Sequence, residues 1–535
     1  MLKFLFLYPQ SKGKSFNFVS RNIFARRKHD FLFKIATSFI IFLVMFASLA
    51  VWAEQLQWQE TVQEFRLENG LKVLMLKRER SPTIAFRVLF KTGAVDEPTG
   101  KTGLAHLLEH MMFKGTTTIG TEDYEKEWPL LEKMDRLAKK LLEAEREGRP
   151  EEEIENIREI FEATQKEAEQ YVKTAELNKI YDESGATELN AMTWQDGTLY
   201  TVSLPSNRLE LWARLSADSI ANPVFREFYK ERSVVMEERR QRTETEPTGF
   251  LREHFLAAAF IAHPYRSPTL GWMSDLEGMM REDLKEFYQR YYVPANAVVA
   301  LVGDIEPEQD IHIIRRYFLA ISPGDIPPSV STQEPKQQGE RRTVVKFDAE
   351  PEVFIGYHKP TYPDREAYVF DVIDTLLTAG RTSRLFKRMV QEERVALSVR
   401  TGSGFPAQRY NNLFYFHGIP RHPHTTRELE DIFYEELESL KRELVSEKEL
   451  EKIKNQVRAN FIYGLKSNEG LATRLVYYEA FFDGWEMMMK YPDIIESITA
   501  EEIMQVAREY FTEDNRTVAT LARKKENEEN KINKE

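Results

Sequence analysis

The chain has 535 residues, 42% of them hydrophobic and 30% charged, with no cysteine and a formal net charge of −12. That composition excludes disordered, collagenous and disulfide-framed chains, and the length has room for more than one hydrophobic core. The acidic balance argues against nucleic acid as a partner, and the lack of cysteine leaves only histidine and carboxylates to hold a metal.

The charge is unevenly spread. Residues 1–53 carry eight Lys/Arg and one acid, so the remaining body holds 66 basic against 85 acidic side chains. Arg26-Arg27-Lys28 precedes an apolar run from Ile35 to Val51, which ends in Val51-Trp52-Ala53. Residues 1–53 therefore read as an export segment: a signal peptide with a long basic region, or a membrane anchor at the short end of spanning length. Either reading places the body outside the cytoplasm, in the periplasm or another extracytoplasmic space, with a membrane tether in the second case.

From about Glu54, strand-like and helix-like segments alternate. Phe65 to Lys77 and Thr83 to Thr92 read as strands joined by a charged turn, Gly103 to Phe113 as a helix, Arg208 to Ala221 and Glu227 to Arg242 as further helices, and Ala297 to Gly303 as a short buried strand. Between them, residues 122–183 hold 20 acids and 11 bases in 62 positions. Apolar residues recur there at helical spacing, from Leu130 to Leu141 and from Ile154 to Tyr171, around a Gly148-Arg149-Pro150 break. This predicts an antiparallel helical hairpin whose acidic outer face is solvated.

Residues 280–302 lie over residues 499–521 at an offset of 219, with Glu282/Glu501, Tyr291/Tyr510, Asn296/Asn515, Val299/Val518 and Ala300/Ala519 coinciding. Both halves also open with strands and proceed through helices to this ending. The expected fold class is therefore α+β: two homologous domains related by internal duplication, each a mostly antiparallel sheet with helices on one face, plus the inserted hairpin. The expected divisions are a first domain over 54–321, a Pro/Gly/Ser/Gln-rich linker over 322–339, a second domain over 340–524 and a charged tail over 525–535.

The chemistry concentrates in His106-Leu107-Leu108-Glu109-His110. On a helix, His106 and His110 share a face one turn apart, and Glu109 stands beside them on nearly that face. Two imidazoles can share one metal, and the adjacent carboxylate can take a proton from water, which is the arrangement for metal-assisted hydrolysis. HxxEH is the reversed zinc-peptidase motif. A third ligand is offered by the helix Glu227 to Arg242, where Glu231 and Glu238 are two turns apart on one face. Either can ligate, and helix geometry alone does not choose between them.

These residues, with ELNAMTWQDGTLYTVSLP, ERSVVMEE, HPYRSPTLG, FYQRYYVPAN and GDIEP in that order, resemble the pitrilysin/insulinase family of zinc peptidases, the inverzincins. Within the family the chain is similar to the two-domain branch of mitochondrial processing peptidase and its bacterial relatives, over about Phe65 to Leu521. The resemblance implies zinc bound by His106, His110 and Glu238, Glu109 as catalytic base, and Glu231 as the carboxylate orienting a ligating histidine. It also implies that peptide substrates lie along Asn190, Ala191, Met192 and Thr193, between two domains that close over them. The implied activity is zinc metalloendopeptidase, acting on peptides or unfolded segments; a structural scaffold subunit is the rival expectation.

Two features depart from the family pattern. His106 and Glu238 are 132 residues apart, roughly fifty more than usual, a surplus about the size of the hairpin. The hairpin is thus expected to be peripheral to the zinc site, though close to the substrate strand. In addition, where the family places an Arg and a Tyr seven apart on the second domain, this chain has Val390 and Leu397, with Arg388 and Arg394 out of register. The expectation is a two-chain enzyme in which a homologous partner subunit contributes the Arg/Tyr pair.

Overall fold

Asn69-Gly70 breaks the first expected strand in two. In a computed structural model that describes residues 62–524, β1 (Val62–Arg66) and β2 (Lys72–Lys77) form an antiparallel hairpin. Gly70 sits at φ +94 in the turn, and Leu67 N–H donates to the Leu71 carbonyl at 2.8 Å. The single strand expected from Phe65 to Lys77 is therefore corrected: an Asn-Gly pair supplies the left-handed backbone that a tight reversal needs, and an alternating apolar pattern does not register it. The Asn69 amide donates to the Phe318 and Ile321 carbonyls and fixes the turn to the body.

Two sheets carry the fold. The first also contains β3 (Thr83–Phe90), β4 (Thr187–Thr193), β5 (Thr198–Pro205) and β6 (Ala297–Gly303), in the order β1-β2-β6-β3-β5-β4. The second contains β7 (Arg341–Phe347), β8 (Glu352–Lys359), β9 (Ala396–Phe405), β10 (Asn412–Pro420) and β11 (Arg516–Arg523), in the order β7-β11-β8-β10-β9. With β1 set aside the two orders are the same. Each begins with one parallel pair, β2 with β6 and β7 with β11, and continues antiparallel to an edge strand, β4 or β9. The duplication extends to single hydrogen bonds: the Asn296 amide donates to the Tyr291 carbonyl, and the Asn515 amide donates to the Tyr510 carbonyl, both at 2.9 Å.

The helices that position the site are α1 (Leu104–Met111), α2 (Tyr124–Glu147), α3 (Glu151–Glu169), α4 (Phe228–Arg239), α5 (Pro247–Ala259) and α6 (Asn468–Phe481). Successive strand residues face opposite sides of a sheet, and all seven residues of β6 are buried, so both faces of the first sheet are covered. Val299 and Leu301 join the core shared with α1 and its neighbours. The opposite face carries α6, which packs on β3 and β6 although it comes from the second half of the chain.

The second sheet receives α5 from the first half, packed on β7, β8 and β11. The 219-residue offset carries α5 onto residues 466–478, nearly the span of α6, so the halves exchange equivalent helices. Gly356 makes room for this: a Cβ there would lie 2.5 Å from Phe255 Cζ of α5. The apolar pattern marks both helices as amphipathic, but it carries no signal for which sheet each covers.

The expected hairpin is α2 and α3, turning at Gly148 with φ +63. A bridge between Thr121 and Val172 closes its base, where Glu122 N–H donates to the Tyr171 carbonyl at 2.7 Å. Residues 322–338 contain no helix or strand. The export segment and the charged tail fall outside the described residues, and among the described residues no helix is long and apolar enough to cross a membrane.

Candidate metal centre

Helix α1 starts at Gly103, whose φ of +94 lets the chain pass against Leu270 and Leu276. The Glu97 carboxylate accepts from Gly103 N–H at 2.8 Å and Ala105 N–H at 2.7 Å, satisfying donors that a helix start leaves open. Glu97 had no signal in the sequence, because this cap lies six residues upstream rather than at the residue before the helix. Leu104, Leu107, Leu108 and Met111 are buried in the core, which aims His106, Glu109 and His110 toward α4 and β4.

The structure brings His106, His110 and Glu238 together, with their ligand atoms within 4.8 Å of one another. Glu238 Oε2 lies 3.6 Å from His106 Nε2 and 3.5 Å from His110 Nε2. Ligands about 2.0–2.1 Å from a tetrahedral zinc stand roughly 3.3 Å apart, so these two edges fit the ion, as does the nitrogen and oxygen donor set. Arg242 engages the other Glu238 oxygen at 2.9 Å and leaves Oε2 for the histidines. Just past Glu238, α4 passes into a π-helical turn, Arg240–Glu244, which the expected helix to Arg242 did not foresee. Such turns often occur at functional sites, and the hydrophobic period does not mark them.

The structure separates the two glutamates that helix geometry left equivalent. Glu231 Oε2 lies 3.3 Å from His110 Nδ1, on the side of the ring away from Glu238, and Glu231 Oε1 is 2.5 Å from Lys114 Nζ. Lys114 was not singled out from the sequence; its place four residues beyond His110, on the turn leaving α1, is the only cue. Burial would lower the His110 pKa, but its hydrogen bonds to Glu231 and Glu238 outweigh this and raise it to about 9. A metal must therefore displace a proton from His110. Burial, reinforced by the neighbouring His110, lowers His106 to about 4, which leaves it neutral. Among the described residues, buried His106 Nδ1 has no hydrogen-bond partner.

Glu109 is held from the other side. The Thr193 hydroxyl, at the end of β4, donates to Glu109 Oε2 at 2.5 Å, and burial raises the Glu109 pKa against that bond. Beside this group runs the edge of the first sheet, since among the described residues β4 pairs only with β5. Its residues Asn190, Ala191, Met192 and Thr193 border a cavity of about 680 Å³, together with His106, Glu109, His110 and Glu238. Met192 is 53% exposed on that edge. Helix α5 lines another side through Gly249, Arg252, Glu253 and Leu256, and the second half contributes only Phe405 and Pro406 among the described residues.

Val390 and Leu397 are not among the residues lining this cavity. Leu397 is exposed, and Arg388 is taken up by Glu393 and Glu435 at 2.7 and 2.6 Å. The hairpin contributes no residue to the cavity lining, and it packs against α4 and the segment just before it. Tyr229 of α4 donates to Asp135 at 2.9 Å and meets Phe161 edge-on, and the Arg226 guanidinium pairs with Glu127 in a fully buried contact. Sequence distance hid this because α4 returns to the hairpin about a hundred residues later.

The insulinase (peptidase family M16) model matches residues 72–134 and 139–272, and the peptidase M16 inactive domain model matches residues 279–457. The chain belongs to the insulinase family. Among its members, the zinc protease PqqE of Helicobacter pylori is 27% identical over 85% of this chain and 91% of its own length. A crystal structure of a protease from Helicobacter pylori superposes with a TM-score of 0.73 at 26% identity, over 86% of this chain and 99% of that one. The periplasmic protease PqqL from Escherichia coli shares the insulinase fold with a TM-score of 0.64 at 17% identity, and there this chain spans 48% of the longer protein. Insulinase relatives at this similarity are named zinc proteases, in keeping with a duplicated two-domain fold and a His/His/Glu group of metal-ligand type.

Proposed function

We propose that the chain is an exported zinc metalloendopeptidase that hydrolyses peptides or unfolded protein segments, acting as the zinc-bearing subunit of a two-chain enzyme. The observation that carries the reading is the convergence of His106, His110, Glu238 and Glu109 on one cavity bordered by an open strand edge. In this reading His106, His110 and Glu238 hold one zinc ion, and Glu231 fixes the His110 ring through Nδ1. A zinc ion held there supplies Lewis acidity, which makes a water acidic near neutral pH and polarises a peptide carbonyl.

The remaining work falls to side chains and backbone. Glu109, anchored at Oε2 by Thr193, presents Oε1 to accept the water's proton and return it to the departing amine. The free N–H and C=O groups of β4 from Asn190 to Thr193 hold an extended peptide by strand addition, a mode that tolerates many side chains. With Val390 and Leu397 in the register of the expected Arg and Tyr, a homologous partner subunit supplies the donors for the developing oxyanion. Such a donor contributes about 3 kcal/mol, more than a hundredfold in rate. The basic, then apolar, N-terminal segment supports export, and the domains divide at 322–339.

The purified chain, assayed with unstructured peptides with and without chelator, tests this reading. Stoichiometric zinc with slow, chelator-sensitive hydrolysis that rises on adding a homologous subunit is expected. Full activity of the isolated chain would sink the two-chain part, and failure to bind zinc would sink the whole.

A further inference from the structure

Most side chains around the cavity that can carry charge have a polar partner. Glu253 is gripped by Arg239 through two hydrogen bonds of 2.9 and 3.2 Å, Glu238 is met by Arg242, and Glu109 is held by Thr193. Arg252 also lines the cavity, one turn before Leu256 on α5, and its side chain is exposed. Among the described residues no carboxylate pairs with it; its electrostatic neighbour is the neutral Tyr415. An exposed, unpaired arginine elsewhere on the surface would be unremarked. This one faces a concave site whose lining includes Leu256, Pro268, Leu270 and Phe405, and a guanidinium matches a carboxylate as a two-pronged ligand.

Resting on the peptidase reading above, we infer that Arg252 binds a carboxylate of the substrate, so that this cavity selects anionic peptides. The carboxylate is either a free C-terminus or an Asp or Glu side chain near the cleaved bond, and both present the same planar pair of oxygens. The proposal accounts for a local feature that overall composition obscures. The body of the protein is strongly acidic, yet among the described residues Arg252 is a cation without a counter-ion at its candidate active site.

The test uses the full-length, zinc-loaded chain with Glu109→Gln, so that binding is read without turnover. Fluorescence anisotropy compares unstructured peptides that differ only in Glu against Gln, or in a free against an amidated C-terminus, the two comparisons separating the sources of the carboxylate. At least one carboxylate-bearing member is expected to bind about tenfold more tightly, the scale of a hydrogen bond to a charged group. That preference should vanish when Arg252→Ala is added and turn toward Lys-bearing peptides with Arg252→Glu, at unchanged zinc content. Equal affinity for each pair with Arg252 present overturns the inference while leaving the peptidase reading intact. So does an Arg252→Ala variant of the active chain that slows all peptides equally without altering binding, because that marks an oxyanion donor. Absence of any peptide binding overturns both.

Discussion

Glu231→Gln isolates the role of the residue that separates the two candidate ligands. The Glu231 carboxylate stands between two donors, His110 Nδ1 at 3.3 Å and Lys114 Nζ at 2.5 Å. An amide keeps the shape but offers one acceptor oxygen, so one of these contacts must face an N–H₂ group. If the His110 contact is lost, the imidazole is free to turn and its Nε2 is a weaker donor. If the Lys114 contact is lost, an ammonium with only Glu227 at 3.2 Å stands near the metal site. Either way one charge-assisted bond of about 1.5–3 kcal/mol is lost, in line with the roughly 10–100-fold loss of metal affinity expected when a ligand's supporting partner is changed. Competition with a chromogenic chelator measures this directly, with circular dichroism confirming that the fold is retained. Zinc affinity within twofold of the unmodified chain would refute the idea that Glu231 orients His110.

Three further outcomes follow from contacts elsewhere in the fold. Glu127→Ala leaves Arg226 buried without its counter-ion and should cost about 3–5 kcal/mol in denaturant unfolding; a loss under about 1 kcal/mol would mean that the hairpin is not anchored through this pair. Gly356→Ala forces a methyl group against Phe255 and should cost about 1–3 kcal/mol, visible as a lowered melting temperature. Burial raises the Asp96 pKa to about 6, above its unfolded value of about 3.9, even though Arg409 opposes the shift. The folded state then holds that proton more tightly, so stability from this group is present below about pH 4 and declines as the pH rises toward 6; Asp96→Asn should flatten that part of the profile.

Much of the site was legible in sequence because it rests on local geometry. HLLEH needs only a helix to place two imidazoles on one face, and Glu231 and Glu238 need only a second helix. The repeat was legible because it preserves hydrogen bonds as well as apolar spacing, as the Asn296 and Asn515 amides show. The choice between Glu231 and Glu238 was not a local matter; it depends on which edge of His110 each reaches, which is set by how α1 meets α4. The exchange of α5 and α6 between the halves was hidden for the same reason, since an amphipathic pattern reports that a face is buried but not against what. The Asn69-Gly70 reversal was available in the sequence but was overridden by the apolar alternation around it.

The most direct measurement is the pair of zinc content and peptide hydrolysis for the Glu109→Gln chain, set beside the unmodified chain with whatever partner subunit activity requires. The substitution leaves His106, His110 and Glu238 in place and removes only the proposed proton acceptor, so one zinc per chain with hydrolysis abolished is expected. Cleavage at the native rate with zinc retained would contradict the assignment of Glu109, and with it the mechanism.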